Sequence, residues 1–134
     1  VAPTSMSKIY AHNQENKPTG VVEHPFYYMT NFPVSGLKTN TNDLSTYLIE
    51  MIKGFNGKGK LLSKESYQIL FKPQLNCENL NKNDLSDFNT HFNISILWSV
   101  SATGYRIHFG GNTGIYAFIY FNPKTSKGAL AMCN

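Results

Sequence analysis

The chain is poor in charge, in arginine and in cysteine. Only 15% of its 134 residues are charged, and Arg106 is its single arginine. A net charge of +4 could suit a polyanion, but the lysines are scattered, and the densest group, Lys58, Lys60 and Lys64, sits among glycines. A nucleic-acid surface interleaves several Lys and Arg with stacking aromatics on one face, so no nucleic-acid partner is expected. Two cysteines, Cys77 and Cys133, cannot hold a metal between them. The four histidines, His12, His24, His91 and His108, show no HxH or HxxxH spacing. Neither a metal nor a cofactor is therefore expected. One disulfide between Cys77 and Cys133 is possible by count, but spacing alone does not bring the sulfurs together. They read as two small thiols, buried or half-buried.

Long apolar runs are also missing. No stretch approaches the ~20 apolar residues that cross a bilayer, and the longest, Gly114 to Phe121, has the length of a strand. No membrane span is expected. Gly54, Gly57 and Gly59 follow a helix instead of preceding one, and no GK[ST] accompanies them, which argues against a phosphate loop. Asp84 and Asp87 sit in a polar loop with nothing to separate them or raise one pKa, which leaves a glycosidase pair unsupported. What is present is 41% hydrophobic and 13% aromatic residues, enough to exclude a disordered chain and to build one core.

Three parts follow one another. Residues 1–40 lack a sustained period and carry Pro3, Pro18, Gly20, Pro25, Pro33 and Gly36, so an extended, irregular arm is expected. Its aromatics, Phe26, Tyr27, Tyr28 and Phe32, need a surface to cover them. Residues 41–134 read as one incomplete domain of a helix pair and a sheet. Leu44, Tyr47, Leu48, Met51 and Ile52 form one apolar stripe over a helix at 41–53, with Thr41 as N-cap and Gly54 as C′ residue. Burying that stripe is worth on the order of 10 kcal/mol gross. A short second helix follows Ser63 as its N-cap and stops before Pro73, with Leu62 and Tyr67 spaced as a staple. Residues 75–90 are polar and read as loop. Beyond them the period changes to two. Phe92, Ile94, Ile96, Trp98 and Val100 alternate along one strand, and strands at 105–109, 115–121 and 129–133 follow across short turns. The expected class is α+β, with an antiparallel meander of about four strands and packed helices.

Motifs in this order resemble a known family. Phe32-Pro33-Val34-Ser35-Gly36-Leu37 ahead of helix 41–53 is similar to its Pro-x-x-Gly-Leu segment. Leu61-Leu62-Ser63-Lys64-Glu65-Ser66 followed by Lys72-Pro73-Gln74 is similar to its Leu-Leu-Ser helix and Pro-Gln turn. His108-Phe109-Gly110-Gly111-Asn112-Thr113-Gly114, ahead of Phe121-Asn122-Pro123, is similar to its His-x-Gly-Gly-x-x-Gly strand pair. The family is the serine β-lactamase-related hydrolases, which includes class C β-lactamases, penicillin-binding DD-peptidases and esterases on one fold. The likeness runs from about residue 25 to the end.

That resemblance implies acyl transfer through an acyl-serine on an amide or ester. His108 would line the site, Gly110 would let a substrate amide approach, and the Gly111 N–H would be one of two oxyanion donors. Strand alternation puts Arg106, His108 and Gly110 on one face and Tyr105, Ile107 and Phe109 on the other. Phe109 departs from the family, which carries a small or polar residue there.

The family's Ser-x-x-Lys nucleophile lies far upstream of this strand. Ser5-Met6-Ser7-Lys8 matches it literally, but in a polar context that a proline closes, whereas the real motif opens a buried apolar helix. Tyr120-Phe121-Asn122 matches the Tyr-x-Asn element but falls after the histidine strand. The chain therefore reads as the C-terminal segment of such an enzyme, catalytically silent alone. The implied partners are the N-terminal half, in cis or as a separate chain, and a small amide, ester or peptide substrate. Family members are often extracytoplasmic. A half-sheet would expose an edge strand that tends to pair or swap. The rival reading is a non-catalytic binding or scaffold module whose arm aromatics form a docking surface.

Overall fold

The computed structural model describes residues 7–12, 20–25, 27, 28, 30, 31, 34, 36–76 and 92–134. Ser5, Phe26, Phe32, Cys77, Asp84, Asp87 and His91 lie outside the described residues, as does most of the polar loop expected at 75–90. The elements, in chain order, are β1 (Ile9–His12), β2 (Val21–His24), α1 (Thr41–Phe55), α2 (Lys64–Phe71), β3 (Phe92–Ile94), β4 (Ser99–Ser101), β5 (Arg106–Asn112), β6 (Ile115–Asn122) and β7 (Lys127–Cys133). The fold is α+β. Strands β3 to β7 form one antiparallel sheet in sequence order, and β1 pairs with β2 in a separate hairpin. The arm is thus not irregular throughout. No described helix is long and apolar enough to cross a membrane.

Both helices are capped by their own sequence. Asn40, not Thr41, caps α1: its Oδ1 accepts from the Asp43 N–H at 2.9 Å, and its Nδ2 donates to the Asp43 carboxylate at 2.9 Å. Asp43 also lies at the positive end of the helix dipole. Ser63 caps α2 and accepts from the Ser66 N–H at 3.1 Å. That helix ends at Phe71 because Lys72, ahead of Pro73, is held extended.

Gly54 is not a C′ residue. It is buried inside α1, which runs on to Phe55 and a cap at Asn56. The reason is Tyr67, whose ring lies flat against Gly54 and Gly59; a Cβ at either would run into the ring. The Tyr67 hydroxyl donates to Glu50 Oε1 at 2.8 Å. The same oxygen accepts the N–H groups of Lys60 and Leu61, so one carboxylate closes the loop between the helices. Those hydrogen bonds hold the Glu50 carboxyl below its ordinary range, the Lys60 N–H being the largest cause.

The core lies between the helices and one face of the sheet. Leu48, Met51, Tyr67, Phe71, Trp98, Ile119 and Phe121 are buried there. Phe71, Trp98 and Phe121 meet in a triangle with centroids 5.5–5.7 Å apart, two of its three contacts edge-to-face. Such pairs add about 0.5–1.5 kcal/mol each beyond the area they bury. Tyr47, counted in the α1 stripe by its spacing, remains 39% exposed, because the stripe turns toward Gly54 and Tyr67.

The run 92–100 is not one strand. The Ser95 N–H donates to the Trp98 carbonyl at 2.7 Å, and the chain reverses at Ile96–Leu97 to form the β3–β4 hairpin. Ile94 and Ile96 consequently stay 45% and 43% exposed, while Trp98 and Val100 are buried. A two-residue reversal flips the odd-even phase, so Ile94 pairs with Ser99 and lies on the face opposite Trp98 and Val100, although the sequence alternates without a break or a turn residue. The sheet accordingly has five strands rather than about four. Its outer edge at β3 is met by residues 74–75: the Gln74 N–H donates to the Ile94 carbonyl at 2.7 Å, and the Asn93 amide bonds both N–H and C=O of Leu75. Among the described residues no strand pairs with the outer edge of β7.

Two outcomes are expected. Gly54→Ala should destabilise the protein by about 1–3 kcal/mol through overpacking against Tyr67, read as a lower midpoint in urea. Glu50 has a depressed folded-state pKa, so its contribution is complete above the ordinary value of 4.5 and is lost as pH falls through the folded value. Glu50→Gln should therefore melt lower than the native chain at pH 7, with the gap closing on acidification; a gap constant from pH 7 to pH 3 would contradict this role.

Candidate functional site

His108 stands on β5 opposite Ile119 and one residue pair from Phe121, so it belongs to the helix-side face of the sheet. Alternation holds along the strand. Arg106, His108 and Gly110 share that face, paired with Phe121, Ile119 and Ala117, while Ile107 and Phe109 lie opposite, paired with Tyr120 and Phe118. Arg106 is buried, with Nη1 on the Gly104 carbonyl at 2.7 Å and its guanidinium over the Phe55 ring; burial pushes its pKa down. His108 remains exposed at the rim of the core.

Two contacts fix its ring. The imidazole meets the Trp98 indole at a centroid distance of 6.1 Å, and its Nδ1 lies 2.6 Å from the Leu97 carbonyl oxygen. A carbonyl oxygen only accepts, so Nδ1 carries a proton, and Nε2 is left as the acceptor of the neutral ring. Leu97 reaches this position with φ at +64°, a left-handed conformation costing about 1–2 kcal/mol for a residue with a side chain. The turn is held from behind by the Ile96 N–H, which donates to the Leu70 carbonyl at the end of α2.

Beyond His108 a cleft of about 570 Å³ opens between the sheet and the arm. Its floor includes His108, Gly110, Ala117 and Ile119, and its roof includes Tyr27, Leu37 and Lys38. The arm is held over the sheet at three places. The Tyr27 hydroxyl donates to the Thr113 carbonyl at 3.1 Å, and the Asn134 amide donates to the Lys8 carbonyl. Gly114, with φ at +69°, lies so close to Ile9 and Tyr10 that a Cβ there would strike the β1 backbone. Within the roof the Lys38 ammonium sits 4.0 Å from the Tyr28 ring centroid.

The two glycines after His108 differ. A Cβ on Gly110 meets nothing within 4 Å and would project into the cleft, whereas one on Gly111 meets the Tyr116 ring at 2.7 Å on the opposite face. What Gly111 offers the cleft is main chain. The Tyr105 carbonyl accepts the Ser101 N–H at 3.0 Å, so Tyr105 turns its main chain toward β4. β5 pairs with β6 residue for residue without a bulge, so Ile107, Phe109 and Gly111 turn the same way. β4 is paired only as far as Ile107. The N–H and C=O of Phe109 and Gly111 therefore project along an edge that no described strand covers.

The other elements singled out by sequence are not gathered here. Tyr120 lies on the far face of the sheet, against Tyr105 and Phe118. Lys8 forms an exposed ion pair with Glu23 at 2.7 Å, which raises its pKa and keeps the amine protonated, the reverse of what a general base needs. Cys133 is a free thiol and exposed, not buried; Cys77 lies outside the described residues. Among the described residues no three His, Cys, Asp or Glu side chains cluster as metal ligands. Sequence reasoning missed the Leu97 carbonyl, the Trp98 support and the roof from Tyr27 to Lys38. The one available signal was Trp98, the only tryptophan, in a strand run whose preceding residue has no polar or turn-forming character. Comparison with family models, with curated proteins and with solved structures finds no match to this chain.

The glycine pair yields a test. Gly110→Val should leave thermal stability unchanged or raise it, since the added side chain enters open space and strengthens a strand position. Gly111→Val should cost about 1 kcal/mol by displacing Tyr116. Melting curves of the two variants check the contrast.

Proposed function

We propose that this chain is the C-terminal part of a β-lactamase-related serine hydrolase, and that the His108–Gly111 strand forms one wall of its acyl-transfer site. The observation that carries the reading is the meeting of three features on one strand end. An imidazole is held by Nδ1 with Nε2 left to accept, the next residue on that face is a glycine under open space, and the Gly111 N–H lies on an uncovered edge. The His-x-Gly-Gly-x-x-Gly pattern and its distance from the Pro-x-x-Gly-Leu and Leu-Leu-Ser segments agree with it.

In this reading the upstream half supplies the serine and its base. The serine oxygen forms a bond to the acyl carbon while its proton passes to the base. The carbonyl oxygen becomes an oxyanion, and the Gly111 N–H donates to it, a contribution of about 3–4 kcal/mol for a well-placed donor. Collapse expels the amine or alcohol, which takes up the proton, and water repeats the sequence on the acyl-serine. His108, its ring fixed by Leu97 and Trp98, accepts through Nε2 from the N–H of an amide substrate. The unpaired edge of β7 offers a place for further strands of the complete sheet.

A second reading has its own support. The far face of the sheet carries Phe109 and Tyr116, 58% and 48% exposed, beside Tyr105, Phe118 and Tyr120, which suits a non-catalytic module with a docking surface. Labelling with a fluorophosphonate and turnover of a chromogenic cephalosporin or a simple aryl ester distinguish the two. The hydrolase reading expects no signal from the chain alone and signal after the upstream half of the same gene product is added, reduced about 100-fold or more by Gly111→Pro, which removes the donor. Silence in both favours the module.

A further inference from the structure

We infer that the cleft takes a neutral, apolar acyl group, so that its ligand class is uncharged esters or amides of aliphatic or aromatic acids and not carboxylate-bearing peptides or β-lactams. This rests on the proposed hydrolase reading for the word acyl, but on the cleft alone for its polarity. The floor rises from the buried core: Ile119 and Ala117 from β6, Leu44 from α1 and Met132 from β7 line it, with Ala117 directly opposite Gly110. The described lining residues of the arm up to Leu37 (Ile9, Tyr27, Tyr28, Val34, Gly36 and Leu37) carry no charge. No Asp or Glu is among the described lining residues.

Lys38 is the only Lys or Arg among the described lining residues, and its ammonium is engaged on the Tyr28 ring. A carboxylate carried past His108 and the Phe109–Gly111 edge onto Ala117 and Ile119 would give up water and meet alkyl groups in exchange. A neutral acyl group loses nothing of that kind. Its carbonyl has main-chain N–H partners on the Phe109–Gly111 edge, and an amide N–H could donate to His108 Nε2. The volume of about 570 Å³ is that of a site for a medium-sized ligand, and Gly110 leaves part of it open by having no side chain.

Calorimetric titration of the 134-residue chain with three probes tests the inference: ethyl hexanoate, monoethyl adipate as its carboxylate-bearing analogue, and benzylpenicillin. Ethyl hexanoate should bind at least tenfold more tightly than either anion, and Gly110→Val, which keeps the fold by its melting curve, should weaken it at least tenfold. Equal or tighter binding of an anion, no binding of ethyl hexanoate, or full binding by Gly110→Val would each overturn it. The hydrolase reading stands or falls separately on serine labelling. Ester preference without labelling keeps the cleft's polarity and removes the enzyme, whereas labelling with anion preference does the reverse.

Discussion

Trp98 is the residue on which both the core and the candidate site depend. Its indole closes the triangle with Phe71 and Phe121 on one side and carries the His108 ring on the other. A chain of main-chain contacts runs in parallel. The Leu70 carbonyl holds the Ile96 N–H, the turn so anchored places Leu97 in its left-handed conformation, and the Leu97 carbonyl holds His108 Nδ1. The end of α2 thereby sets the tautomer and orientation of the His108 imidazole on β5. Backbone strain of this kind persists only where the surroundings over-determine it, and here a helix end and a buried indole do so. The position of the histidine is in this sense a property of the core.

Much of the fold was legible because the determinants were local. The α1 stripe, the Ser63 cap, the Pro73 stop and the strands on either side of Gly114 and Pro123 follow from period and turn chemistry, although β5 runs through Gly110 and Gly111 to Asn112 instead of ending at Phe109. The failures share a cause. Gly54 reads as a helix terminator until Tyr67, thirteen positions away, is known to lie on it. Asn40 and Thr41 are both good caps, and only the geometry to Asp43 chooses between them. The β3–β4 reversal has neither glycine nor asparagine to announce it, since Leu97 occupies the left-handed position itself.

The candidate site was legible in part for the same reason. His108, Gly110 and Gly111 come from one strand, and their alternation is readable there. The opposite wall is not, because Tyr27 meets Thr113 across 86 positions of sequence. No periodicity reports such a contact. Tyr27 and Tyr28 were visible as aromatics in need of a cover, but which surface they meet is seen only in the cleft.

The few ties between arm and sheet have a bearing on how the molecule moves. The sheet is stitched between consecutive strands and welded to the helices by buried rings, so its opening free energy approaches that of global unfolding. Among the described residues the arm meets the sheet through the Tyr27–Thr113 and Asn134–Lys8 hydrogen bonds and the close approach at Gly114, all three outside the aromatic core. Floor and ceiling of the cavity are thus held by contacts of different kinds, and parting the hydrogen-bonded ceiling would open the space without disturbing the rings beneath.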